Sequence, residues 1–93
     1  MQSTTITVTN AEGLHARPAH LFVSTAGKFE AEIKVRSLAG ESGYVNAKSI
    51  LSVLTLGVSQ GHEIEIRAEG EDEGEAVEAL SSLIEGGFEE GSR

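Results

Sequence analysis

The chain has 93 residues, enough for one domain (residues 1–93) with a small core and little stability to spare. Fifteen acidic against seven basic residues give a net charge of −8, which opposes binding to nucleic acid or an anionic membrane surface, so phosphate chemistry must rest on local positive groups. Zero cysteines exclude disulfides and thiolate-bound metals, and the lack of a long apolar run or a basic-then-apolar amino terminus points to a cytoplasmic protein that does not insert into membranes.

Thr5-Ile6-Thr7-Val8-Thr9 alternates polar with apolar, which predicts a strand over residues 3–9 that buries Ile6 and Val8. A loop follows from Asn10 to Gly13. A helix then begins beside His15: Gly13 permits a sharp turn, and Pro18, with fixed φ and no N–H, fits only a helical first turn. Ala19, Phe22, Val23, Ala26 and Phe29 follow helical spacing, Gly27 stands near the expected end, and Leu21 falls off the stripe, so it is expected at the surface.

The start of this helix is the candidate site. Free N–H groups of the first turn, including those of Ala16 and Arg17, together with the Arg17 guanidinium, form a positive pocket around His15. They disfavour the imidazolium and so favour a neutral, nucleophilic ring. A phosphoryl group on that ring reverses the sign, because the same groups then stabilise about two added negative charges. A reversible carrier suits such a site better than a one-way catalyst. His20 and His62 have no comparable neighbours.

Ala31-Glu32-Ile33-Lys34-Val35-Arg36 predicts a second strand, and Tyr44-Val45-Asn46 a short third one paired with it as a hairpin across the 37–43 loop. Asn46 is a good N-cap, so residues 47–56 read as a helix ending at Gly57. Its apolar residues exceed one face: Val53 and Leu56 form one stripe and Ile50, Leu51 and Leu54 another, and periodicity alone leaves open which is exposed. Ser49 falls in its first turn. Glu63-Ile64-Glu65-Ile66-Arg67-Ala68 is a fourth strand, whose Glu63 and Glu65 are expected to face Lys34 and Arg36. The acidic run in Gly70–Glu75 lacks calcium-loop spacing and reads as the first turn of a last helix, with Val77, Leu80 and Ile84 inward. Gly86-Gly87 closes that helix, Phe88 is expected to fold back, and residues 89–93 to fray. Alternating strands with one wet face predict an α+β architecture: a four-stranded antiparallel sheet in the order βαββαβα, with three helices on one face.

Gly13-Leu14-His15-Ala16-Arg17-Pro18-Ala19 resembles the active-site signature of the HPr family of histidine-containing phosphocarriers, and Val45-Asn46-Ala47-Lys48-Ser49-Ile50-Leu51 resembles that family's regulatory-serine segment. The likeness runs nearly end to end. It implies the open-faced sandwich, and phosphoryl transfer to His15 Nδ1 from phosphorylated Enzyme I and onward to Enzyme IIA domains for sugar uptake. It also implies phosphate stabilisation by Arg17 and the amides beginning at Ala16, and no cofactor or metal. Ser49 matches the serine phosphorylated by HPr kinase/phosphorylase, a form read by a transcriptional regulator. Val53 and Leu56 are implied to pack inward, while His20, Lys48, Ile50, Leu51 and Leu54 form the docking surface of a monomer. The 37–43 loop is a few residues longer than the family usually has. Two other readings are a nitrogen-branch or multidomain phosphorelay carrier and a purely regulatory docking module.

Overall fold

Period-two alternation produces four strands in the computed structural model, which describes residues 1–40 and 43–88: β1 (Gln2–Thr7), β2 (Glu32–Ser37), β3 (Val45–Asn46) and β4 (Glu63–Glu69). Helical spacing produces α1 (Ala16–Ala26), α2 (Ile50–Leu54) and α3 (Glu73–Glu85), so the chain order is the predicted βαββαβα. All pairings are antiparallel and the spatial order is β1-β4-β2-β3. The β2–β3 hairpin pairs Lys34 with Asn46 and Val35 with Val45.

Alternate strand residues point to opposite faces, so Ile33 and Val35 of β2 fall on the same side as Ile64, Ile66 and Ala68 of β4, and all five are buried. The helices close over this face. Ala19, Phe22 and Ala26 of α1, Val53 of α2, and Ala76, Leu80 and Ile84 of α3 join the same apolar cluster. Full burial of a side chain such as Phe22 or Leu80 contributes about 2 kcal/mol, which makes this layer the main source of stability. Phe88 turns back into the core, with its N–H donating to the Leu83 carbonyl at 3.0 Å, as the last-helix reading expects.

Five expectations need correction. Leu21 is buried: α1 packs against both α2 and α3, so its inward surface is wider than one stripe. The first strand ends at Thr7, and Val8 is buried just beyond it, its N–H donating to His62 and its carbonyl accepting from Gly61. The helix expected over residues 47–56 is only α2, capped by Ser49 and not by Asn46. The reason is that Ala47 N–H still serves the sheet, donating to the Ile33 carbonyl at 2.9 Å, while Asn46 Oδ1 accepts from Lys48 N–H in a local turn. Beyond α2 the chain tightens through Leu56→Val53 and Gly57→Leu54 bonds of the i→i−3 kind. Glu63 lies opposite Thr7 and Lys34 opposite Arg67, so of the two expected charge pairs only Arg36–Glu65 forms, at 2.7 Å.

The fifth concerns Asp72. Expected within the first turn of the last helix, it stands before that turn, at the N-cap of α3, where its carboxylate accepts from the Glu30 and Ala31 amides, both at 2.8 Å. Glu73 and Glu75 supply the acidic first turn. Gly70 beside this clasp has φ +152, and a Cβ there would lie 2.7 Å from Ala31 Cα, so the two connections pass too closely for a side chain. The expected fraying of 89–93 and part of the 37–43 loop lie outside the described residues.

Candidate functional site

The turn before α1 rests on the one between Val58 and His62. Gly13 has φ +63, and a Cβ placed on it would lie 2.3 Å from the Val58 carbonyl oxygen and 2.8 Å from Ser59 Cα. Leu14 N–H donates to that carbonyl at 3.0 Å, and its side chain is fully buried. The support is itself braced, because Ser59 N–H donates to His62 Nδ1 at 3.0 Å. His62 is thereby occupied structurally. Asn10 closes the turn from the other side: its carbonyl accepts from Gly13 N–H at 3.2 Å and its Nδ2 donates to the Gly13 carbonyl at 3.0 Å.

His15 follows as the N-cap of α1, in extended conformation (φ −126°, ψ 161°), half-buried. Its side chain makes no capping bond, so the imidazole is not tied to the helix it precedes. Ala16 then takes φ +53, a left-handed conformation that a residue with a Cβ adopts only when its surroundings impose it. Arg17 is exposed, and Pro18 and Ala19 are buried, which holds the far side of the first turn against the core. No acidic residue lies in that turn. The arrangement therefore presents an imidazole, a guanidinium and first-turn amides in a setting that favours an added anion.

Of the other candidates, Ser49 is the N-cap of α2 and not a residue of its first turn; its Oγ accepts from Ser52 N–H at 3.3 Å. Ile50, Leu51 and Leu54 are exposed to 38%, 74% and 38%, whereas Val53 is buried and Leu56 nearly so. This settles the two-stripe ambiguity in favour of an apolar patch on α2, and α2 packs beside α1, which carries an exposed His20. Lys48 precedes the patch in sequence, and its ammonium donates to the Phe29 carbonyl at 2.7 Å, which ties α2's approach to the segment after α1. A depression of about 340 Å³ lies elsewhere, lined by Lys34, Tyr44, Asn46 and Lys48 on the β2–β3 side. Among the described residues no three His, Cys, Asp or Glu side chains gather into a metal cage, and no helix is long and apolar enough to cross a membrane.

Residues 2–86 match the family model described as PTS HPr component phosphorylation site. The chain belongs to the HPr family. It is similar to the phosphocarrier protein HPr of Xylella fastidiosa, at 46% identity over 85 residues that cover 91% of this chain and 92% of that one. It is similar also to the multiphosphoryl transfer protein of Vibrio cholerae, at 44% identity over 87 residues, 94% of this chain and 22% of that protein. The chain spans between 17% and 23% of the length of the multiphosphoryl transfer proteins it matches. Among solved structures, HPr-C-His from Thermoanaerobacter tengcongensis matches with a TM-score of 0.90 and 51% identity, covering 97% of this chain and 98% of that one. The fold is thus the HPr fold.

Sequence reading of the HPr site missed Asn10, Val58 and the conformation of Ala16. Asn10 carried a usable signal, since Asn at the first and Gly at the fourth position is a common turn pattern. Val58 carried none, because its part is a backbone carbonyl that any residue supplies.

Proposed function

We propose that this HPr-family chain accepts a phosphoryl group on His15 from phosphorylated Enzyme I and passes it to Enzyme IIA domains for sugar uptake. The observation that carries the reading is His15 at the N-cap of α1, with an imidazole not used as a cap and Arg17 in the following turn, inside a segment matching the family's phosphorylation-site model. The lone pair of the unprotonated ring nitrogen, Nδ1 by family resemblance, attacks phosphorus. The phosphorus–nitrogen bond to the Enzyme I histidine breaks as the new one forms, and that bond's electron pair returns to the departing imidazole. Arg17 and the Ala16 and Arg17 amides stabilise the charge on the transferred oxygens without needing a metal in this protein. Transfer to a IIA histidine is the same step in reverse.

Ile50, Leu51 and Leu54 of α2, with Lys48 and with His20 of the adjoining α1, form the docking face of a monomeric cytoplasmic carrier. Phosphorylation of Ser49 by HPr kinase/phosphorylase adds about −1.5 to −2 charge next to that face. It weakens docking to acidic surfaces and creates the form bound by a transcriptional regulator. A second reading is favoured by the multiphosphoryl transfer relatives, of which the chain covers 22% in the Vibrio cholerae protein: the same chemistry in a multidomain relay.

The test is phosphoryl incorporation from phosphoenolpyruvate with catalytic Enzyme I, for wild type and His15→Ala. The carrier reading expects one acid-labile phosphate per wild-type chain, none in the variant, and delivery to a IIA domain. A wild-type protein that takes up none would make the α2 patch a regulatory docking module instead.

A further inference from the structure

We propose that Asn10 is a positioning residue for phosphoryl transfer, acting through the backbone that presents His15; this rests on the carrier reading above. The Gly13–Leu14 peptide is gripped at both poles: its carbonyl accepts from Asn10 Nδ2 at 3.0 Å, and its N–H donates to the Val58 carbonyl at 3.0 Å. A peptide plane fixed this way leaves the chain little freedom as it enters His15. One residue later comes Ala16 at φ +53, and then the buried Pro18 and Ala19 fix the other end. The left-handed Ala16 is therefore held between two anchors, and Asn10 supplies the side chain of the upstream one. Relaxing it to ordinary helical φ would swing the His15 ring relative to the Ala16 and Arg17 amides that receive the phosphoryl charge.

A second observation concerns the same side chain. Asn10 Oδ1 is buried and has no hydrogen-bond partner. Rotating the amide by half a turn would not repair this, because it would set Oδ1 against the Gly13 carbonyl and strand the donor instead. The side chain thus keeps its donor on Gly13 while its other pole stays unsatisfied, an unfavourable burial that a loop filler would not need. Asn10 does not touch the reacting atoms in this scheme. Its contribution is the orientation of the groups that do.

The experiment compares wild type with Asn10→Ala and with Asn10→Asp, which keeps the volume but, when ionised, offers no donor. Backbone NMR reads the φ-dependent coupling and carbon shifts of Ala16 and the ring resonances of His15 in the unphosphorylated protein. Enzyme I-dependent phosphorylation reads kcat and KM. Expected are loss of the left-handed signature at Ala16, a shift of the His15 ring resonances, and kcat lower by about tenfold or more at unchanged KM, since the α2 docking face is untouched. If Asn10→Ala fails to fold, Asn10→Asp decides. Retention of the Ala16 signature with undiminished kcat would overturn the proposal and leave Asn10 as a brace of the loop. Should wild type accept no phosphate, the carrier reading fails on its own, and the Ala16 and His15 resonances still decide whether Asn10 sets their conformation.

Discussion

The Cβ that Gly13 lacks would lie 2.3 Å from the carbonyl oxygen of Val58, the same atom that accepts from Leu14 N–H. Contact this short with backbone cannot be relieved by a rotamer change, and φ +63 disfavours any Cβ independently. Gly13→Ala should therefore cost about 2–4 kcal/mol and lower Tm by about 10 °C or more in a domain this small. Gly74→Ala is the control. It lies in α3 with nothing within 4 Å of an added Cβ, and helix propensity predicts a gain of up to about 1 kcal/mol. Thermal unfolding of both variants checks the pair; equal Tm changes would mean that the Gly13–Val58 approach is not what restricts the position.

Ser49 allows capping and charge to be separated. Its Oγ accepts from Ser52 N–H at the long distance of 3.3 Å, so Ser49→Ala should cost only about 0.5–1 kcal/mol and leave docking unchanged. Ser49→Asp retains a capping oxygen, hence a Tm near wild type, while placing a negative charge beside Ile50 and Leu51. Calorimetric titration with Enzyme I should show weaker binding for the Asp variant alone. If the Ala variant weakens binding as much, the effect of this position is conformational and not electrostatic.

Local pattern was enough to read most of the fold. Alternation over 32–36 and 63–68 marks two strands, the Ala19–Phe22–Ala26 stripe marks α1, and Gly13, His15, Arg17 and Pro18 together mark the candidate site. What escaped depends on partners far along the chain. The Lys48 ammonium meets a carbonyl 19 residues away, and Asp72, read as part of an acidic first turn, gives its carboxylate to amides 41 and 42 residues away. The start of α2 was misplaced for the same cause, since Ala47 N–H belongs to Ile33 across the hairpin. No periodicity encodes such bonds.

The patch on α2 predicts a clean division between neighbouring residues. Leu51 is 74% exposed, so Leu51→Glu should change stability by no more than about 0.5 kcal/mol while weakening Enzyme I and IIA binding about tenfold or more. Val53, two positions on, is fully buried, and Val53→Glu should unfold the protein. Binding by Leu51→Glu at wild-type affinity would remove α2 from the docking face.

Acid should loosen the clasp between α3 and the connection that precedes β2. The Glu30 amide, with the Ala31 amide, holds the Asp72 carboxyl below its ordinary value of 3.8, and Lys48 is the charged side chain that adds to this. A carboxylate whose folded pKa is depressed contributes stability that is complete above the unfolded value and disappears as pH falls through the folded one. Glu65, held low by the Tyr44 hydroxyl and then by Arg36, acts in the same direction across β2 and β4. Stability should thus be flat near neutrality and decline below about pH 4. Asp72→Asn keeps one acceptor oxygen and cannot titrate, so it should be less stable at neutral pH yet lose less on acidification. Urea unfolding of both proteins at neutral pH and near pH 2.5 measures the difference, and parallel declines would assign the acid response to other carboxylates.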